Sequence, residues 1–425
     1  MKNFLAKILA ASAAVALTAC SSSSAPELLK ADGVTRVSVE RADYETQLRQ
    51  YRESGLRLGT ALLDDGGEGG NGNVISSPGS LLIALAMLRA GASGDTAAEL
   101  DRVLGLPAEG RDEGMNALLE SLEKFDGDPG SVDEANPPRT PVMHVANGLF
   151  IDKNVPTGPE YLKTLGLHYG TGVYPVDFRD EAVTAPALDA WVNKNTGGRI
   201  KKAPAAYDPE NTFSLLNALY FASAWDTPFD ANGTADSPFT KAGGEEVMVP
   251  TMNNLAEMAY AEGPGWQAVD LPYAEGFVMR LVLPATGTSG DSSHVGTAEL
   301  SEIADSLDGD VPEMVQISLP KWDHKSSFDL RKVFESLGLQ ETLSTSKDFD
   351  NIQPGMIITQ AAQAANITVA EKGTVAAAVT QINGMATSAP PMPERVIQFD
   401  RPFHYQIIHA ETGLPLFIGK VADPR

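Results

Sequence analysis

The spacing of apolar residues predicts several amphipathic or buried helices. Between Thr46 and Leu63 the apolar residues recur at roughly helical intervals, which predicts a helix. A second helix is expected after Ser77, because that serine is a good N-cap and Pro78 suits the first turn. An apolar run follows, and Gly91 is a suitable stop.

Two further segments have a helical pattern. Thr96 and Glu99 have the spacing of a capping box, which predicts a short helix that ends near Gly105. The apolar period over 327–337 predicts another helix, with Gly338 at its end.

Alternating or continuous apolar runs predict strands elsewhere, and the clearest alternation is at 315–319. The predicted strands are 212–221, 277–283, 315–319, 405–408 and 415–421. The chain has no internal repeat and no clean shift in composition between its halves. We therefore expect one α+β domain rather than several.

Charge and histidine spacing exclude several classes of function. The 425 residues carry a formal net charge of -24, so the surface repels phosphate backbones and no nucleic-acid partner is expected. The six histidines lack zinc-site spacing and there is only one cysteine, so neither a metal nor a cofactor is expected.

The first residues have the layout of a secretory signal. Lys2 and Lys7 precede the apolar run 8–17, which is too short to span a bilayer. The run ends at Leu17-Thr18-Ala19-Cys20, which resembles the lipobox of bacterial lipoproteins. We expect a signal peptide at 1–19, a lipid-modified and flexible tether at 20–43, and a folded domain at 44–425.

The lipobox resemblance implies where the protein works. It implies that Cys20 becomes the lipid-modified first residue of the mature chain. The protein would then be exported and anchored by lipid to the bacterial cell envelope, at the outer membrane or the cell surface.

Eight short segments, in order along the chain, resemble the motifs of one family. They are NVISSPGS (73–80), GASGDT (91–96), WVN (191–193), TGGRI (196–200), NALYF (217–221), LPKW (319–322), DRPF (400–403) and LFIGKV (416–421). This series resembles the serpins. The resemblance implies an α+β fold of three β-sheets with about nine helices and an exposed reactive-centre loop, here at about 371–394.

The same resemblance implies a function. Inhibitory serpins are suicide substrates of serine-type endopeptidases rather than enzymes, and they trap the acyl-enzyme when the cleaved loop inserts into the central sheet. The implied partner is a serine protease, or a cysteine protease as a second option, in a covalent 1:1 complex with a serpin monomer.

The loop itself is suited to insertion. Its first part resembles the hinge of inhibitory serpins, with small residues at most positions. The hinge residues are Glu371, Gly373, Thr374, Ala376, Ala377 and Ala378. If this segment becomes a strand, alternate residues share the inward face, and small uncharged side chains there need little space and bury no charge. No proline or charged residue occurs from Gly373 to Ala389.

The reactive bond is expected at Thr387–Ser388 by counting from the hinge. Counting back from Pro402 gives a position nearer Pro391, but the count from the hinge is preferred because trapping constrains the length that inserts. Met385 and Ala386 remain alternatives.

The reactive-centre loop carries no basic residue around the expected reactive bond. No Lys or Arg lies between Gly373 and Glu394, so elastase-like or subtilisin-like targets are expected and trypsin-like ones are not.

The resemblance also implies a region that controls opening of the sheet. Its expected members are Ser77, Ser80, Asn217, Trp225 and Gln363. Gln363 takes the place of a histidine that many serpins have, and since glutamine can donate and accept, the network can persist.

Two other functions stay open. One is a non-inhibitory serpin that serves as a surface binding protein. The other is a Ser/His/Asp hydrolase, although no G-x-S-x-G motif marks a nucleophile.

Overall fold

The structure is a computed structural model that describes residues 24–69, 72–205, 207–285, 295–309, 311–345, 347–374 and 392–425. Within these ranges there are nine α-helices: α1 (Glu45–Asp65), α2 (Pro78–Gly91), α3 (Gly94–Leu104), α4 (Arg111–Glu123), α5 (Pro159–Thr164), α6 (Glu181–Asn195), α7 (Thr297–Leu307), α8 (Leu330–Ser336) and α9 (Gln340–Ser344). A π-helical turn, Leu165–Tyr169, continues α5.

The same ranges contain sixteen strands. They are β1 (Glu68–Gly69), β2 (Val74–Ser76), β3 (Val142–Asp152), β4 (Tyr174–Val176), β5 (Phe213–Ala224), β6 (Ala235–Thr240), β7 (Glu246–Gly263), β8 (Trp266–Pro272), β9 (Phe277–Pro284), β10 (Glu313–Pro320), β11 (Trp322–Asp329), β12 (Gln360–Ala370), β13 (Gly373–Thr374), β14 (Arg395–Gln398), β15 (Phe403–His409) and β16 (Pro415–Val421).

Helix α2 is the centre of the core. Every residue from Leu81 to Leu88 is at most 2% exposed, as expected of a helix that is apolar on all sides. Its first turn is capped as the sequence predicts, because Ser77 Oγ accepts a hydrogen bond from Ser80 N at 3.4 Å and Pro78 needs no partner for its nitrogen.

The predicted capping box at Thr96 and Glu99 is wrong. Helix α3 begins at Gly94, and the Glu99 carboxylate instead accepts hydrogen bonds from the backbone N–H groups of Glu341 (3.0 Å) and Thr342 (2.7 Å). Glu99 therefore caps the first turn of α9, where free N–H groups favour a carboxylate.

The helix predicted over 327–337 is too long. Residues 327–329 belong to β11, and α8 covers only Leu330–Ser336. The cause is the alternation of buried and exposed residues along β11, which puts it beside β12 in a sheet.

A seven-stranded sheet carries the features of interest. Its strand order is β1-β11-β12-β13-β5-β3-β4. Strands β5 and β12 are parallel neighbours at one end, and β13 lies between them at the other.

The other strands form two sheets that share one strand. Strand β7 pairs with β6 and β10 along its first part and with β8 along its last five residues. The expected three sheets are thus present, but hydrogen bonding joins two of them into one nine-stranded array.

The expected flexible tether is partly in contact with the domain. From Leu29 to Val39, residues assigned to the tether are hydrogen-bonded to α4, to the π-helical turn and to Val173. No helix in the described ranges is both long and apolar enough to cross a membrane.

Candidate functional site

The seven-stranded sheet contains a stretch, called the gap below, over which β5 and β12 do not pair with each other in the described part of the chain. Their parallel ladder pairs Gln360 with Ser214 and ends where Ala364 lies beside Ala218. Beyond that point, residues 365–368 of β12 lie opposite residues 219–222 of β5.

The far end of this gap is filled by the hinge. After a two-residue turn at Glu371 and Lys372, β13 returns antiparallel to β12 and also pairs antiparallel with β5. Thr374 lies between Val369 and Ser223. The hinge residues Gly373 and Thr374 are therefore already a strand of the central sheet.

Gly373 and Thr374 fit this position closely. A Cβ on Gly373 would overlap the carbonyl oxygen of Ser223 and come within 2.8 Å of the Cα of Ala224, so only glycine fits without moving β5. Thr374 is 1% exposed, and its hydroxyl is hydrogen-bonded to that of Tyr273 beneath the sheet. The inward side chain of β13 is thus buried and uncharged.

The turn before β13 is held by an ion pair. Lys321 Nζ lies 2.9 Å from the Glu371 carboxylate, which also accepts a hydrogen bond from Thr234 Oγ1 at 3.0 Å. Burial by itself raises the pKa of Glu371, but the hydrogen bond and the charge of Lys321 outweigh burial and hold that pKa below its ordinary value. Glu371 is therefore ionised at neutral pH.

Trp225 packs at the same end of the sheet. Its indole N–H donates to the Ala370 carbonyl at 2.9 Å, its backbone N–H donates to the Lys372 carbonyl at 3.0 Å, and its ring stacks on Tyr273. The last residues of β12 and the hinge turn are thereby fixed to the residue that follows β5.

A second cluster lies under the closed part of the sheet. Gln363 Nε2 donates to Asn217 Oδ1 (2.7 Å) and to the Ser77 carbonyl (2.9 Å), and its Oε1 accepts from Ser77 N (2.9 Å). Asn217 Nδ2 in turn donates to Ser80 Oγ at 2.6 Å. All four side chains are at most 3% exposed, so each bond replaces one that water can no longer make.

The expected sheet-opening residues therefore form two groups. Ser77, Ser80, Asn217 and Gln363 are brought together, whereas Trp225 is eight residues further along from Asn217, about 26 Å at the rise of an extended strand. The hinge residues Ala376, Ala377 and Ala378, the candidate reactive-bond residues Met385, Ala386, Thr387 and Ser388, and Cys20 lie outside the described residues.

Residues 52–424 match a family model described as Serpin (serine protease inhibitor). The chain belongs to the serpin family. Among similar proteins, an uncharacterised serpin-like protein of Thermococcus kodakarensis is 32% identical over 366 residues, which cover 84% of this chain and 82% of that protein.

Solved structures share the serpin fold. The native state of tengpin, a thermophilic serpin, has a TM-score of 0.78 at 22% identity and covers 94% of this chain and 100% of tengpin. Thyroxine-binding globulin in complex with thyroxine has a TM-score of 0.73 at 22% identity, with coverages of 89% and 99%.

Several residues at this serpin's site were not predicted from the sequence. Lys321 and Tyr273 contact the hinge, and Asn147 Oδ1 accepts hydrogen bonds from Asn217 and Ser80. Of these three residues, only Lys321 could have been found from the sequence, because it lies in the serpin-like segment LPKW (319–322). In the described part of the chain, no group of three His, Cys, Asp or Glu side chains is placed to hold a metal ion.

Proposed function

We propose that this serpin is an inhibitor, not an enzyme, and acts as a suicide substrate of serine-type endopeptidases. The observation that carries the proposal is β13, since the hinge residues Gly373 and Thr374 already lie between β5 and β12. Insertion then needs only to continue along a strand position that is already occupied at one end.

The register supports this continuation. Extended from Thr374, the next four residues would lie beside 219–222 of β5 and 365–368 of β12, which fills the gap. The positions that would point inward, Ala376 and Ala378, are small enough to enter a packed core.

Beyond those four residues the sheet must open. The next register positions are occupied by the Ala364–Ala218 and Gln363–Asn217 pairs. Each bond that is broken costs roughly 1 kcal/mol, and each inserted residue adds new ladder bonds on both of its edges. We therefore assign Gln363 and Asn217 the role of a lock that holds the sheet closed until the loop is free.

Cleavage would free it. The protease serine attacks the carbonyl carbon at the reactive bond, expected at Thr387, the bond to Ser388 breaks, and the new amino group leaves with Ser388 while an ester retains the protease on Thr387. About fifteen inserted residues at ~3.3 Å each would then carry the protease on the order of 50 Å across the sheet.

The loop composition supports elastase-like or subtilisin-like targets. Substitution Thr387→Arg should redirect inhibition toward trypsin-like enzymes, whose primary pocket is acidic. Met385→Arg serves as the control for position. If neither variant changes which proteases are inhibited, the reactive bond lies elsewhere.

The decisive experiment is incubation with a panel of serine proteases followed by a denaturing gel. A stable covalent band with release of a C-terminal peptide supports the proposal. Clean cleavage of the loop without a complex, for every protease that cuts it, refutes inhibition and favours the non-inhibitory surface binding protein.

We also propose that the protein is exported and held to the cell envelope by lipid at Cys20. The supports are the signal-like run before that residue and the small residues that directly precede it. Replacement of Cys20 by serine should release the protein from membranes, which fractionation of cells would detect.

A further inference from the structure

The segment 24–40, called the strap below, is bound to the surface of the domain. Leu29 and Val173 form a small antiparallel bridge, with Leu29 N donating to Val173 O at 2.7 Å and Val173 N donating to Leu29 O at 3.0 Å. Ala25, further toward the N-terminus, packs against the apolar cluster that includes Phe150 and Trp191.

The strap then crosses the π-helical turn and α4. Val37 N donates to Leu167 O at 3.0 Å, and Asn116 Nδ2 donates to Val37 O at 2.7 Å. Arg36 donates to the Asn116 carbonyl at 2.7 Å and pairs with Glu123 at 2.9 Å. Arg36 of the strap is thus paired with a carboxylate of α4, a helix with four acidic residues and one basic residue.

Two glycines of the domain leave room for the strap. A Cβ on Gly172 would overlap the Leu29 carbonyl oxygen, and a Cβ on Gly166 would lie 2.8 Å from Val34 Cγ1. Such close approach requires glycine at both positions. Binding is nevertheless shallow, since Leu29 remains 39% exposed and Val37 41% exposed.

The strap is attached far from the hinge. Val173 directly precedes β4, which pairs with Phe150–Asp152 at the end of β3 that lies beside Phe213. The hinge lies beside Ser223 and Ala224 at the other end of β5. Ten strand residues separate the two ends, which is about 33 Å.

We propose that the strap is a short leash that protease trapping releases; this rests on the proposed function. Complete loop insertion delivers the protease to the Phe213 end of β5, only three strand spacings, about 15 Å, from the strap at β4. A protease of ordinary domain size is on the order of 40 Å across, so it overlaps the space that the strap occupies.

Release of the strap would also make room for the trapped protease between the domain and the membrane. From Cys20 to Ser24 the chain can span at most about 14 Å, which keeps a lipid-anchored domain close to the bilayer at its strap end and turns the hinge end outward. The space between the bilayer and the strap end of the domain is then too small for a trapped protease. From Cys20 to Tyr44 the same chain spans up to about 80 Å, so a released strap gives enough room.

Hydrogen exchange on the full chain with Cys20→Ser, which stays in solution, tests the leash. The amides of Leu29, Val37 and Val173 should be protected in the native protein and should exchange at least tenfold faster in the covalent complex. Loop-cleaved protein without a bound protease is the control. It should keep the protection, because insertion alone brings no bulky body to the strap.

A matched pair of variants checks that the protection reports docking. Gly172→Ala should expose the strap amides before any protease is added. Gly243→Ala, where an added Cβ meets no atom within 4 Å, should leave them protected.

The outcomes are separable. A covalent complex in which the strap amides stay protected overturns the leash and leaves the inhibitor proposal intact. Failure to form any covalent complex overturns the inhibitor proposal and the leash together. Loss of protection in both the complex and the cleaved control also overturns the leash, because release would then follow from insertion rather than from the protease.

Discussion

Replacing Thr374 by arginine is expected to turn the proposed inhibitor into a substrate. Thr374 is 1% exposed, and its hydroxyl bonds to Tyr273, whose ring lies between Phe221 and Trp225. A guanidinium at this position would be buried beside Tyr273, Ser223 and Val369, none of which carries a negative charge to pair with it. The charge therefore opposes occupation of the sheet by the hinge.

The magnitude follows from the cost of an unpaired buried charge, about 3–5 kcal/mol in proteins. If about 3 kcal/mol of this cost is present at the transition state for insertion, insertion slows roughly 100-fold, because each 1.36 kcal/mol is tenfold in rate. Hydrolysis of the acyl-enzyme is unaffected, so more serpin is cleaved for each protease that is trapped.

The assay is titration of a fixed amount of protease with increasing serpin, which gives the number of serpin molecules consumed per trapped enzyme. We expect this number to rise at least tenfold for Thr374→Arg. Val375→Arg is the matched control, because the next residue of an inserted strand faces the opposite side and its charge stays in solvent. An equal effect of both variants, or none of either, would refute inward burial of Thr374.

Two further predictions concern stability. Substitution Gln363→Leu leaves Asn217 Oδ1 and both backbone groups of Ser77 without their glutamine partner, so the free energy of unfolding should fall by about 2–4 kcal/mol; an unchanged urea midpoint would contradict the lock. Burial lowers the pKa of His324 and of His409 to about 4, from about 6.5 in the unfolded chain, so the unfolded state binds protons first as the pH falls. The free energy of unfolding should be unchanged above pH 6.5 and should decline toward pH 4 by about 3 kcal/mol per histidine. Urea titrations at several pH values measure this decline, and replacing both histidines by glutamine should flatten it.

Local sequence determined much of the secondary structure. Helix α2 follows from a capping serine, a proline in the first turn and an apolar run, and these signals act within one turn of the chain. The proposed insertion of the loop likewise depends on local sequence, because it requires small, uncharged side chains at consecutive positions. The serpin-like segments predicted the fold, which the structure confirms.

The tertiary structure decided which partner each polar side chain has. Glu99 has the spacing of a cap for its own helix but caps α9, which is more than two hundred residues away in sequence. Glu371 pairs with Lys321, and residues with the composition of a tether lie on an acidic helix. A buried carboxylate, amide or strand edge is satisfied by whichever group the fold brings within about 3 Å, and distance along the chain does not determine that proximity.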